Sequence, residues 1–232
     1  MELDRFTLYS PVHLLALFVC FGTPALLLWK SRVVRESAVS RERWRKGLVA
    51  GSFLSWLVCC GFWFHPDAFR WDGSLPLQYC NLANLIAAVA VGRQFRWAQA
   101  LLYFWMFALC LWAFLTPFLM VGPAHAWFWV FWIYHLFIPL SVVWIFAVDR
   151  FRPSWSDLNR SLLLTLAFTL FLMALNAITG WNYGFVGAGK PGQPSPIDVL
   201  GPYPLRVLWM ILIGALLFLF LLLPWLRRKP KS

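Results

Sequence analysis

Trp127-Phe128-Trp129-Val130-Phe131-Trp132-Ile133-Tyr134-His135-Leu136-Phe137-Ile138-Pro139-Leu140-Ser141-Val142-Val143-Trp144-Ile145-Phe146-Ala147-Val148 contains no Asp, Glu, Lys or Arg, and its one imidazole is His135. A helix needs about 20 such residues to cross the roughly 30 Å hydrocarbon core of a bilayer. Lipid offers the backbone no hydrogen bonds, so a run of this kind predicts a transmembrane helix. Working outward from 127–148, six more stretches read the same way: 11–29, 47–65, 76–92, 98–117, 160–180 and 204–226. The third is the shortest, and its start at Leu75-Pro76-Leu77-Gln78-Tyr79-Cys80-Asn81 holds polar groups that a lipid-facing helix avoids.

The whole chain agrees with its parts. Of 232 residues 61% are hydrophobic and only 12% charged, against about 25% charged in a soluble domain. These figures exclude an ordinary water-soluble fold, a disordered chain and a small disulfide-stapled scaffold. The expected fold class is all-α: a polytopic bundle of seven transmembrane helices forming a single integral membrane domain over 1–232.

A net charge of +11 would suggest nucleic acid on a soluble protein, but the placement of the charges speaks for topology. Sixteen Lys and Arg residues, from Lys30 to Lys46, Arg93 and Arg96, Arg150 to Arg160, and Arg227 to Lys231, fall on one set of loops. Four, Arg5, Arg70, Lys190 and Arg206, fall on the other. The positive-inside rule therefore predicts the amino terminus outside, the carboxyl terminus in the cytoplasm and no nucleic-acid partner. Met1-Glu2-Leu3-Asp4-Arg5 lacks a basic lead and the first run ends at Lys30, so the first span is expected to be retained rather than cleaved as a signal peptide. Residues 181–203, rich in Gly and Pro, read as an irregular outer loop that is either an entrance lid or a plain surface connection.

Topology turns scattered polar residues into depths. At 1.5 Å per residue Cys80 lies about 6 Å, and His135 about 12 Å, below the outer ends of their spans. His13, Asn176 and Asn182 fall in the same outer half. Polar side chains at like depth on different helices are expected to share an interior cavity. Helical spacing supports this twice: Cys80, Asn84, Ala87 and Val91 share one face, and Ser161, Thr165, Thr169, Asn176 and Gly180 form one stripe.

Cys20, Cys59, Cys60 and Cys110 read as inert packing, the common fate of cysteine in an apolar helix. Cys80, beside Gln78, Asn81 and Asn84, is balanced between filler and reactive thiol. His135 serves either as a general base or as a hydrogen bond tying two helices. Neither a metal nor an organic cofactor is expected, since no His, Cys or carboxylate cluster, redox Cys-x-x-Cys, phosphate loop or Gly-x-Ser-x-Gly elbow occurs.

The stretch Leu75 to Ala83, the His135 following Phe131-Trp132-Ile133-Tyr134, and Asn176 through Asn182-Tyr183-Gly184-Phe185, Lys190-Pro191 and Asp198-Val199-Leu200-Gly201-Pro202 resemble the YwaF-like, transmembrane protein 164 family. The resemblance spans nearly the whole chain, His13 included. It implies an acyltransferase that moves a fatty acyl group between phospholipid and lysophospholipid, with Cys80 as nucleophile forming a thioester and His135 as its base. Asn81, Asn84 and Asn176 are then expected to orient groups or donate to the oxyanion. His13, Gln78, Asn182 and Lys190 are expected to contact the lipid. The site should face the non-cytoplasmic side, of the inner membrane in a bacterium or of the endoplasmic reticulum in a eukaryote. A carrier or receptor that binds a small ligand or lipid in an outer polar cavity, without covalent chemistry, is the alternative.

Overall fold

The computed structural model describes residues 4–67, 69–189 and 196–226. Among them the chain forms α1 (Pro11–Glu36), α2 (Ala38–Trp63), α3 (Tyr79–Gly92), α4 (Arg96–Leu115), α5 (Ala126–Ala147), α6 (Trp155–Thr179) and α7 (Leu205–Leu226). Two short 3₁₀ turns, Tyr183–Phe185 and Pro196–Leu200, lie between α6 and α7. The described residues contain no strand, only an isolated bridge between Arg5 and Val121. Six of the seven helices are long and apolar enough to cross a membrane.

The exception is α3. Its 14 residues rise about 21 Å, short of a roughly 30 Å core. The expected span over 76–92 is helical only from Tyr79, because Pro76 has no N–H to give and biases Leu75 away from helix. A tight turn follows, with the Leu77 N–H donating to the Leu75 carbonyl at 2.8 Å. Gln78 then caps the helix in an extended conformation.

A second difference lies between the first two spans. The expected loop over 30–46 is instead a continuation of both helices that breaks only at Ser37, whose side chain accepts from the Ser40 N–H and caps α2. Charge spacing sustains the extra turns: Arg32 pairs with Glu36, and Glu42 pairs with Arg45 and Lys46.

Burial sorts the helices into a centre and a rim. In the most apolar window of α4 and of α5, 67% of the residues are buried, against 17–28% in α1, α2, α6 and α7. Ala83, Ala87, Ala90 and Val91 put α3 in the centre as well, each with no exposed surface. Small residues there let α3 approach its neighbours closely. Around this trio α1 packs on α5, α2 on α3 and α5, α6 on α4, and α7 on α6. Outward-facing Phe18, Trp29, Leu163 and Phe220 are exposed, the pattern of a surface built for lipid rather than water.

The polar stripe on α6 turns inward as its spacing predicts. Thr165 accepts from Trp105 Nε1 at 2.7 Å, and Thr169 accepts from the Tyr79 hydroxyl at 2.6 Å. Both threonines donate to carbonyls one turn back, at Ser161 and Thr165. At the opposite end a capping box at Ser154 and Asp157 starts α6. Arg96 holds the Asp157 carboxylate through Nε at 3.0 Å and Nη2 at 2.5 Å, tying the starts of α4 and α6.

Candidate functional site

Cys80 is the second residue of α3, directly after the non-helical segment at Pro76 to Gln78. The first N–H groups of a helix have no partners within it and carry a partial positive charge. Of the five cysteines, Cys80 alone is only half-buried, and all five are unbridged. Its thiol interacts with two side chains, Cys110 and His135. The structure thus brings the two expected catalytic residues together from α3 and α5.

His135 is 4% exposed, and its Nδ1 lies 2.7 Å from the Phe131 carbonyl one turn back. A carbonyl can only accept, so Nδ1 carries a proton, and in the neutral ring it is Nε2 that keeps the lone pair. This is the neutral tautomer that a base needs, oriented by a backbone group in place of the carboxylate seen in triads. Phe131 and Phe114 pack against the ring with centroids at 4.2 and 5.8 Å.

Cys110, read from the sequence as a packing residue, lies in the buried core beside the Cys80 thiol. It closes a π turn, Met106–Cys110, inside α4. The insertion of one residue rotates everything after it relative to regular helix spacing, and such turns concentrate at functional sites. Trp112 Nε1 donates to the Ala108 carbonyl at 3.2 Å within the loosened stretch. Cys110 itself has no exposed surface. Cys59, on α2, reaches the site through Asn81, whose Nδ2 stands 4.0 Å from its sulfur.

Tyr134 was not singled out by the sequence. It is 3% exposed, and its ring meets His135 edge-on at 4.5 Å. Its hydroxyl is buried without a hydrogen-bond partner, in electrostatic range of Cys80, Cys59, Cys110 and Cys60. Leaving such a group unsatisfied costs about 1–3 kcal/mol. A tyrosine directly before an intramembrane histidine was the available signal, but nothing in the sequence gives the direction of its hydroxyl.

The expected oxyanion donors are mostly spent on backbone. Asn84, fully buried, donates to the Tyr134 carbonyl at 2.7 Å, and its Oδ1 has no partner. Asn176 clamps Tyr183 from both sides, accepting its N–H at 3.0 Å and donating to its carbonyl at 2.9 Å. Asn176 is therefore a loop anchor.

The same holds for the residues expected to touch lipid. Gln78 Oε1 accepts from the Gly184 N–H at 3.1 Å, and Asn182 Oδ1 from the Gly187 N–H at 2.9 Å. Arg206 adds a bond to the Gly187 carbonyl at 2.6 Å and an ion pair with Asp198 at 2.9 Å. The segment 182–189 is thus strapped onto α6, α7 and the start of α3. Gly184 permits this with φ 65°, and a side chain there would meet Leu172 and Tyr79. Lys190 lies outside the described residues.

His13 also turns out to be a clamp. It has no exposed surface, its Nδ1 accepts from the Tyr9 N–H at 2.9 Å, and its Nε2 is 2.8 Å from the Phe114 carbonyl. Both ring nitrogens are used, which leaves none for a ligand and fixes α1 to the carboxyl-terminal end of α4.

On the basic side, Asp149 follows the end of α5 and accepts from Gln94 Nε2 at 2.9 Å and Gln99 Nε2 at 3.3 Å. Burial pushes its carboxyl up to about 6, against the opposing pull of the Gln94 and Trp144 hydrogen bonds and the Arg45 and Arg41 charges. No group of three or more His, Cys, Asp or Glu among the described residues could hold a metal ion.

Apolar helices of membrane-crossing length, with a thiol and an imidazole meeting from different helices, define a multi-pass integral membrane protein. The TMEM164 family model matches residues 8–222, so the chain belongs to the TMEM164 family. No curated protein and no solved structure matches it.

Proposed function

We propose that the protein is a lipid acyltransferase that moves a fatty acyl group between glycerophospholipids and lysophospholipids through a thioester on Cys80. His135 Nε2 takes the thiol proton, and the sulfur adds to the ester carbonyl carbon of a phospholipid. Collapse of the tetrahedral adduct breaks the ester C–O bond, and the lysolipid oxygen leaves with the proton held by His135. Acyl transfer to a second lysolipid reverses the steps. The observation that carries this reading is the interaction of the Cys80 thiol, on a half-buried residue, with a His135 ring whose Nδ1 is held by the Phe131 carbonyl.

The setting suits the substrate. We read α3 as a seventh span whose outer end is completed by the extended segment before Tyr79. The basic loops then face the cytoplasm, the amino terminus lies outside and the carboxyl terminus inside. Cys80 falls in the outer half, near the depth of glycerophospholipid ester carbonyls. Lys190 on the outer loop would meet the lipid phosphate as a point charge.

The test is intact-mass spectrometry of purified protein after incubation with phospholipid. Wild type is expected to gain one fatty acyl group that hydroxylamine removes, and Cys80→Ser to gain none. An equal gain in Cys80→Ser, or no gain in wild type, overturns the proposal.

A further inference from the structure

We infer that the Tyr134 hydroxyl is a catalytic residue of this site: the donor that stabilises the oxyanion when the Cys80 sulfur adds to an acyl carbonyl. The inference rests on the acyl-transfer reading above and names a part which that reading lacks. A tetrahedral adduct places a full negative charge on what was the carbonyl oxygen, and in a dry site it needs a donor fixed in advance. Asparagines at 81, 84 and 176 are the obvious candidates by residue type. Asn176 has both ends of its amide on the Tyr183 backbone, and Asn84 directs its NH₂ to the Tyr134 carbonyl. Asn81 points its NH₂ toward the Cys59 sulfur at 4.0 Å.

Tyr134 is placed differently. Its backbone carbonyl is held by Asn84, one turn along α3 from Cys80, and its ring is braced edge-on by His135. Asn84 thus holds the Tyr134 backbone, and one member of the reacting pair braces its ring. Its O–H is fully shielded and bonded to nothing, and the cysteines within electrostatic range of it come from α2, α3 and α4. Other buried donors lack this setting: the Trp132 indole, also unpartnered, packs against His13 at 5.6 Å on the α1 side.

The reaction steps balance with this donor in place. As sulfur adds, the carbonyl π pair moves to oxygen, which accepts a hydrogen bond from the phenol without taking its proton. On collapse the pair returns to re-form C=O, the ester C–O bond breaks, and the leaving oxygen is protonated by the His135 imidazolium. Tyr134 ends each cycle unchanged.

The test compares two reactions of Cys80 in wild type and Tyr134→Phe. Acylation by p-nitrophenyl octanoate passes through an oxyanion; alkylation by iodoacetamide does not. Loss of one oxyanion donor costs on the order of 100-fold or more, so the Tyr134→Phe acylation rate at saturating ester is expected to fall about 100-fold. Iodoacetamide labelling, KM for the ester and melting temperature should stay within about twofold or a few degrees, since an unpartnered hydroxyl supports no contact. Wild-type acylation with an unchanged rate in Tyr134→Phe overturns the inference alone. A parallel fall in alkylation also overturns it, by showing a general loss of thiol reactivity. Wild type that is alkylated at Cys80 but never acylated overturns the acyl-transfer reading, and the inference with it.

Discussion

Replacing Asn176 by Leu removes a side chain of nearly the same shape together with both of its hydrogen bonds to Tyr183. The Tyr183 N–H and carbonyl would be stranded where the residue has no exposed surface. Each stranded group costs about 1–3 kcal/mol, and with some relaxation the pair costs about 3 kcal/mol. That is a factor of about 100 in the opening equilibrium of the strap. Amide hydrogen exchange over 182–189 reads it directly, because Gly184 and Gly187 N–H groups are protected by Gln78 and Asn182 side chains within the strap. Exchange there should quicken about 100-fold in Asn176→Leu. The half-exposed Asn182 supports a single bond, so Asn182→Ala should quicken it about tenfold or less. Through the Gln78 tie the loosened strap also frees the start of α3, and Cys80 reactivity should fall. Unchanged exchange in Asn176→Leu would refute the claim that this asparagine anchors the strap.

Other consequences can be measured on the same protein. Asp149 has a folded-state pKa near 6, raised from 3.8, so the folded protein holds this proton more tightly than the unfolded chain. Its relative contribution to stability is therefore full below about pH 4 and is lost as pH rises through about 6. The stability of wild type minus that of Asp149→Ser, followed by unfolding from pH 3.5 to 8, should fall across that window, and a rising difference would reverse the sign assigned to burial. At Gly51 an added Cβ runs into the Phe137 ring, whereas at Gly47 it meets nothing within 4 Å. Gly51→Ala should thus cost about 1–3 kcal/mol by overpacking, Gly47→Ala should cost nothing, and Phe137→Leu should restore Gly51→Ala in a thermal unfolding assay. His13→Ala should lower the melting temperature by freeing α1 from Phe114, and leave KM for lipid unchanged.

Six of the seven expected spans were legible because two simple rules, rise per residue and the cost of charge in lipid, act on every residue alike. The convergence of Cys80 and His135 was legible as similar depth on different helices. So was the inward stripe on α6, since Ser161, Thr165 and Thr169 keep regular helical spacing and do bond or bury inward. Cys110 was not: its neighbours are apolar, and the π turn breaks the spacing by which a face is read. His13 and Asn176 looked like ligand groups because their type is rare in lipid, yet each serves backbone groups that no periodic pattern exposes. The continuation of α1 and α2 up to Ser37 had a signal, the spacing of Arg32 with Glu36 and of Glu42 with Lys46; high charge alone had marked that stretch as loop.

The account depends most on the meeting of one sulfur and one imidazole between α3 and α5. The rate of Cys80 alkylation by iodoacetamide, in wild type and in His135→Phe at neutral pH, tests that meeting without assuming any substrate. Removal of a positioned base costs about 100-fold or more, so labelling of Cys80 is expected to slow by at least about tenfold while the fold survives. Equal labelling rates in the two proteins would contradict the account.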